Sequence, residues 1–565
     1  MKSKIIISEL IQHQILVHYK RKFESSPRWL LSNKPSIELT RKIAFKLYKC
    51  LNTPVALSCF LLLKYEEYDQ LVSKGINASD YECGEKFADD YQAIKFLSKC
   101  EDLPTSFDKI KNAIDSELWA ELKCSETNKR LISWHRLNAY PTDTVTWVVW
   151  KAREILRDIL KTTPQFEELV SGFRFGPGAS SATSGSDTTI VAKAASALHS
   201  TTNAQMDLAF AVQLQPMLDP RYSVEQNFCG PLCGPTAKDI INYSTWTTAP
   251  KTAVTARGIA TQIHGLMLGQ KSLGNILRER ARESRYRIDL DNLWAFNKAF
   301  AEFASVADTF ATIDVKVASS TIAYETVYEL LPRSWALLLD RWREPETSYL
   351  GSVHTNRKFS AMGNGYTFEL ESLLFFALAK ASALYKRSKA FVSSFGDDVI
   401  IPAIAVTTLT EVFDFFGLTV NTTKSFTEGN FRESCGGDYW RGSDVRPMFL
   451  KELLSNEESL VKLANRVRHY SLRRGFDCYC CIRFLPLWKC ITDLLKGSSY
   501  SRGSKHYGDT VLWANAHDNA PVSQPTFYKG GWWTTTVAAC NKRRKTNKRH
   551  SELRAWFLQK CWDLG

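Results

Sequence analysis

The sequence predicts an α+β chain, on three observations. Apolar residues recur at three-to-four spacing through the N-terminal third. Two short β-type runs flank a Gly-Asp-Asp triplet at 396–398. A third strand-like run, Phe310-Ala311-Thr312-Ile313-Asp314-Val315, ends near an acid of its own. The chain has 565 residues with 44% hydrophobic, 23% charged and 12% aromatic content, the balance of a folded globular protein. Its formal charge of +14 favours a polyanionic partner, a nucleic acid or an anionic membrane surface. The most apolar stretch, Leu373 to Ala379, is cut by Lys380, so no membrane-spanning helix and no membrane partner are expected. Met1 to Glu9 lacks the apolar core of a signal peptide.

The elements follow in order. From Ile5 to about Lys161 the pattern is helical, as in Trp147-Val148-Trp150-Ile155-Leu156-Ile159-Leu160. Phe173 to Thr189 is rich in Gly, Ser and Pro and reads as a loop whose backbone N–H groups, beside Arg174, could line a phosphate path or simply face solvent. Between Ala249 and Arg287 arginine and lysine concentrate, from Lys251 and Arg257 to Arg278, Arg280, Arg282, Arg285 and Arg287, which predicts a basic wall with part of the run as ordinary surface. A second basic run, Lys542 to Arg549, stands near the C-terminus. The 14 cysteines are scattered and are expected as free thiols in a reducing compartment. Neither Cys229-x3-Cys233 nor Cys478-x-Cys480-Cys481 offers the two well-spaced pairs of a structural zinc site.

Chemistry centres on Lys389 to Pro402, predicted as a hairpin with Asp397 and Asp398 at its tip. Gly-Asp-Asp alone arises by chance in about one chain in ten of this length. Adjacent carboxylates near a third repel by ~4 kcal/mol per pair at 4 Å and an effective dielectric of 20, a conflict that divalent cations resolve. If the strand ending at Asp314 lies beside the hairpin, Asp314 and Asp397 can bracket two hard cations, the arrangement for in-line phosphoryl transfer. Lys251 and Arg257 could then hold incoming phosphates. The glycine-rich turn Met362-Gly363-Asn364-Gly365 enters an apolar helix predicted from Leu373 to Leu384 and would let backbone approach a nucleotide.

Five segments resemble the RNA-directed RNA polymerase, or replicase β subunit, of the single-stranded RNA bacteriophages called leviviruses. They are Met362-Gly363-Asn364-Gly365-Tyr366-Thr367-Phe368-Glu369-Leu370-Glu371-Ser372, Phe395-Gly396-Asp397-Asp398, Phe431-Arg432-Glu433-Ser434-Cys435-Gly436, Tyr439-Trp440-Arg441-Gly442, and Pro250-Lys251-Thr252-Ala253 with Arg257. They stand in the family's order from Pro250 to Lys451, with Phe175 to Ala179 as an outlying fragment.

The resemblance implies a right-hand polymerase, with fingers and a helical N-terminal region over 1–305, an antiparallel palm over 306–450 and a thumb with the basic C-terminal region over 451–565. It implies RNA-directed RNA synthesis by two-metal nucleotidyl transfer, with two Mg²⁺ ions, or Mn²⁺ in their place, held by Asp314, Asp397 and Asp398. Lys251 and Arg257 would contact the nucleoside triphosphate, Gly363, Asn364 and Thr367 would position template and ribose, and Lys424 would protonate pyrophosphate. Phe431 to Phe449 would form the hairpin beside the growing 3′ end. Partners implied are single-stranded RNA template and product, ribonucleoside triphosphates, and host elongation factors Tu and Ts with ribosomal protein S1, in the cytoplasm of a bacterial host.

The chain also departs from the family's pattern. Lys316 and Ser320 stand where the family has a small serine and a second aspartate, so Ser320 would meet a ribose hydroxyl without charge. Thr261-Gln262-Ile263 replaces a Lys-Glu-Pro that supplies a triphosphate contact. Two other readings share these features. A reverse transcriptase has the same paired aspartates, and a non-catalytic RNA-binding protein on a decayed polymerase fold would explain Lys316, Ser320 and Thr261.

Overall fold

A computed structural model describes residues 34–513, apart from 138–140, 221–234, 236, 474–480, 496–501 and 504. The N-terminal segment to Glu9, the Cys229–Cys233 pair, Cys478 and Cys480, and the basic run from Lys542 lie outside the described residues. The chain forms two compact units. One draws on the described parts of Met1–Lys109, Pro250–Thr255 and Asp444–Lys542, the other on those of Ile110–Ala249 and Ala256–Ser443.

The second unit is α+β. Its labelled helices are α1 (Lys109–Leu137), α2 (Asp143–Leu160), α3 (Leu266–Glu283), α4 (Leu293–Ala307), α5 (Thr367–Tyr385) and α6 (Val406–Phe415). Its strands are β1 (Tyr243–Ala249), β2 (Arg257–Thr261), β3 (Phe310–Asp314), β4 (Glu346–Tyr349), β5 (Ser352–Thr355), β6 (Ser393–Phe395), β7 (Asp398–Pro402), β8 (Phe431–Ser434) and β9 (Gly437–Trp440). β3, β7 and β6 make an antiparallel sheet with β7 in the middle. A second sheet runs β2-β1-β4-β5, and β8 and β9 form a hairpin.

Helix α5 backs the three-stranded sheet and is buried around nearly its whole circumference, as a helix without a polar face must be. It starts at Thr367 rather than at Leu373, because the polar residues of its first turns have partners: Glu369 accepts from Arg278 Nε at 2.6 Å, and Ser372 Oγ accepts from the Gly396 backbone at 2.8 Å. Val148, Val149, Ile155, Leu156 and Ile159 of α2 pack into the same core, as their spacing requires. The arginine run of α3 and the residues after it is partly neutralised: Arg278 also meets Asp291, Arg280 meets Glu168 and, just past the helix, Arg285 meets Asp158, so the basic wall is narrower than its sequence suggests.

The first unit is mainly helical. Ser36 caps helix Ile37–Leu51 by accepting from the Leu39 amide. Leu39, Ile43 and Leu47 of that helix share a core with Leu460 and Leu463 of helix Glu457–Leu472 and with Leu487 and Ile491 of helix Leu485–Leu494. Among the described residues no helix is long and apolar enough to cross a membrane.

Candidate active site

The centre of the site is a two-residue β-turn. β6 and β7 pair with Phe395 opposite Asp398, leaving Gly396 and Asp397 as the turn. Gly396 has φ +58°, the positive φ that a two-residue hairpin of type II′ needs at its first central position. A Cβ at Gly396 would also lie 3.0 Å from the ring of Phe368, which packs edge-on against Phe395. The turn is held from below by Ser372 and from within by Ser394 Oγ, which donates to the Gly396 carbonyl at 3.2 Å.

β3 lies antiparallel to β7 and places Asp314 directly opposite Asp398. The sequence expectation that these two strands lie side by side is met. Asp314 is buried and engaged: Asn421 Nδ2 donates to its Oδ2 at 2.7 Å, and Lys424 Nζ stands 3.4 Å from its Oδ1. The segment bearing both partners runs beside β3 through bridges Thr312↔Phe426 and Val315↔Val420, and Ser425 Oγ accepts from the Asp314 amide.

Three carboxyl groups here are pushed toward protonation. Asp397 reaches solvent at the tip, yet the protein crowded around its carboxyl group excludes water and raises its pKa, Asp314 adds repulsion, and Lys424 and Arg257 offset part of it. Asp398 is pushed up to about 6, first by burial and then by Asp397, against an opposing hydrogen bond from the Cys435 amide to its Oδ2 at 3.0 Å. Burial and then Asp397 raise Glu371 of α5 well above the carboxylate range. Lys424 loses by burial and gains more from Asp314 and Glu433, so its ammonium form is favoured.

This excess of crowded oxygen donors fits a hard divalent cation. Asp314, Asp397 and Asp398 would hold it. Among the described residues no three acidic, histidine or cysteine side chains are already gathered in ligating geometry; Lys424 and Asn421 engage Asp314, and the Cys435 amide engages one oxygen of Asp398.

Other predicted site residues fall into three groups. Arg257 is exposed at the start of β2 and close enough to act on Asp397. The glycine-rich turn joins this strand: the Ala260 amide donates to the Met362 carbonyl at 2.8 Å, and Gly363, at φ +121°, leaves only 2.3 Å between a would-be Cβ and the Ala260 oxygen. Asn364 Oδ1 accepts from the Tyr366 amide, while its buried Nδ2 has no partner among the described residues. Thr367 is buried, and its hydroxyl donates to the Ala361 carbonyl at 3.1 Å and pairs with the Ser360 hydroxyl at 2.8 Å. Ser320 is buried with its hydroxyl on Glu117 Oε2 at 3.2 Å, beside the buried Lys358–Glu117 ion pair. Lys251 is exposed on the Pro250–Thr255 segment of the other unit. Lys316 is exposed, and Gln262 and Ile263 are buried.

The loop from Phe173 spends some of its N–H groups internally, Ser180 on the Thr183 carbonyl and Ser181 on the Gln262 carbonyl. Sequence reasoning missed Asn421, Glu371 and Cys435. Asn421 sits three residues before Lys424, and Glu371 one residue before the Ser372 that holds the turn, but nothing local marks either as facing the aspartates.

The family described as "RNA replicase, beta-chain" matches residues 36–562. The chain is 32% identical over 429 residues to the "RNA-directed RNA polymerase subunit beta" of Escherichia virus Qbeta, covering 75% of this chain and 69% of that protein. It is 27% identical over 493 residues to the protein of that name from Qbeta virus (strain MX1), covering 85% and 77%. It is 34% identical to the "RNA-directed RNA polymerase beta chain" of Escherichia phage MS2 over 230 residues, 41% of this chain and 42% of that one. Among solved structures it is similar to an "RdRp complex", at TM-score 0.39 and 12% identity over 65% of this chain and 34% of that chain. It is also similar to the RNA-dependent RNA polymerase of a human picobirnavirus, at TM-score 0.28 and 14% identity over 45% and 55%.

Proposed function

The chain belongs to the RNA replicase beta-chain family, and from that premise we propose that it copies the single-stranded RNA genome of a phage, joining ribonucleoside triphosphates on an RNA template by two-metal nucleotidyl transfer. One observation carries this reading: Asp314 and the Asp397–Asp398 turn, distant in the chain, meet across adjacent strands of one sheet. Residues 306–450 serve as the palm, those to 305 as fingers and those from 451 as thumb.

Asp314, Asp397 and Asp398 would hold two magnesium ions, for which manganese could substitute. When bound, these ions supply the charge that activates a 3′ hydroxyl and neutralises the leaving pyrophosphate. Arg257 and Lys251 bind the triphosphate by charge-assisted hydrogen bonds. Lys424, kept protonated by Asp314 and Glu433, would deliver a proton toward pyrophosphate. Gly363, with no side chain between β2 and the turn, lets backbone lie against template and nucleotide, and Asn364 and Thr367 hold that turn in shape. The polymer partners are RNA template and product; host elongation factors Tu and Ts and ribosomal protein S1 join them by family resemblance, in the bacterial cytoplasm.

The test supplies purified chain, with and without those host proteins, with RNA template and labelled ribonucleotides or deoxynucleotides. Template-dependent incorporation of ribonucleotides is expected. Incorporation of deoxynucleotides alone would identify a reverse transcriptase, and incorporation of neither, with RNA still bound, a binding protein.

A further inference from the structure

Away from the aspartates, the first unit carries a groove of about 790 Å³ lined by helices Ile37–Leu51 and Leu485–Leu494. Five of its lining side chains are basic and two are acidic. Arg41 is spent on Glu66. Lys42, Lys46, Lys49 and Lys489 make no ion pair or hydrogen bond among the described residues. Lys42, Lys46 and Lys49 follow the spacing that places residues on one helix face, over about 10 Å of axis at 1.5 Å per residue. Lys42 and Lys46 line the groove together with Cys490 of the opposite helix and are close enough to act on its thiol.

Four lysines without counter-ions define a surface for a polyanion. The chain's own terminal stretches, 1–33 and 514–565, hold more lysine and arginine than aspartate and glutamate, so charge disfavours either as the occupant. Protein interfaces are depleted in lysine and built round a dry apolar centre. Among the described residues the only aromatic lining the groove is Phe45, half-buried against Phe60, so the groove offers charge for a chain of phosphates rather than a dry apolar centre.

We propose that this groove is a second binding site for single-stranded RNA, gripped through its phosphates by Lys42, Lys46, Lys49 and Lys489. The choice of RNA among polyanions rests on the proposed function; the site itself does not.

The test uses the full chain and a short oligouridylate carrying a photoreactive 4-thiouridine. Cross-links in peptides covering 37–51 and 485–494 are expected. In the triple variant Lys42→Glu, Lys46→Glu, Lys489→Glu, affinity at low salt should fall about tenfold or more, and the salt slope should flatten by about 2. The Lys→Arg triple variant should retain both cross-links and affinity. The proposal is overturned if wild-type cross-links avoid both peptides. It is equally overturned if charge reversal leaves affinity and slope unchanged, if the arginine variant loses binding as completely, or if polyglutamate displaces RNA from the groove at equal charge. Wild-type chain that cross-links here but incorporates no nucleotide would refute the polymerase reading and leave the groove standing.

Discussion

Asp314 and Asp398 are cross-strand partners, facing one another where β3 and β7 end at the same edge of the sheet. The pairing fixes the separation of two acids by backbone register, which a side-chain rotation cannot undo. Asp397, one residue on at the turn, completes the set. The cost of assembling these charges appears as the raised pKa of Asp397 and Asp398, and the nearby cation of Lys424 is the chain's own partial relief.

Lys424 is counter-ion to Asp314, and the proposed function adds a second duty, as proton donor. Lys424→Met should lower the rate of nucleotide addition by about 10²–10⁴-fold, the usual span for a lost general acid, with RNA affinity little changed. Lys424→Arg should restore part of the rate, since it keeps the charge but not the transferable proton. Equal rates for wild type and Lys424→Met in single-turnover assays would remove Lys424 from the reaction.

Ser320 tests a different expectation. Its hydroxyl serves Glu117 in the buried cluster with Lys358, not an exposed sugar. Ser320→Ala should cost about 1–3 kcal/mol of stability by leaving a buried acceptor short of a donor, read from the denaturant midpoint. The preference for ribonucleotides over deoxynucleotides should stay as it was. A drop in that preference with stability intact would return Ser320 to the ribose.

Glu344 is buried under the β2 turn, where Gln270 Nε2 donates to it at 3.0 Å, and burial pushes its carboxyl up to about 7. The folded state thus binds this proton more tightly than the unfolded chain. Its stabilising effect is full below the ordinary glutamate range and is lost as pH rises toward 7. Glu344→Gln, which keeps an acceptor for Gln270, should match wild type near pH 4 and exceed it at pH 8 by up to about 3 kcal/mol. Thermal melts across that range measure it, and parallel pH profiles would refute it.

Gly363 has no room for a side chain. Gly363→Ala would set a Cβ against the Ala260 carbonyl in a backbone region that L residues avoid, and should cost about 1–3 kcal/mol or displace the turn. Chemical denaturation, with nucleotide KM as the second readout, checks this. Wild-type values for both would show that β2 and the turn are free to part.

Much of this site was legible in the chain. Gly396 between two β-type runs specifies a hairpin, and a strand-like run ending in Asp314 offers its neighbour, because alternation and turn chemistry are local signals. The start of α5 was not legible, since Glu369 and Ser372 look out of place in a buried apolar helix until Arg278 and Gly396 are seen to satisfy them. Ser320 was legible only in part. Its neighbours in sequence suggest the sugar, while the hydrogen-bond partner of its hydroxyl, Glu117, comes from α1, on a helix that ends long before β3 begins. Asn421 and Cys435 hold the aspartates from segments whose long-range placement no local pattern encodes.

The central claim of the proposed function is that Asp314 and Asp397 together would hold divalent metal where the phosphodiester bond forms. Anomalous diffraction from crystals grown with Mn²⁺, RNA and a non-hydrolysable ribonucleoside triphosphate tests it directly. Two manganese peaks bridging Asp314 and Asp397, next to the triphosphate and with Lys424 withdrawn from Asp314, are the predicted result. Peaks bound elsewhere, with Asp314 still locked to Lys424 and Asn421, would contradict it.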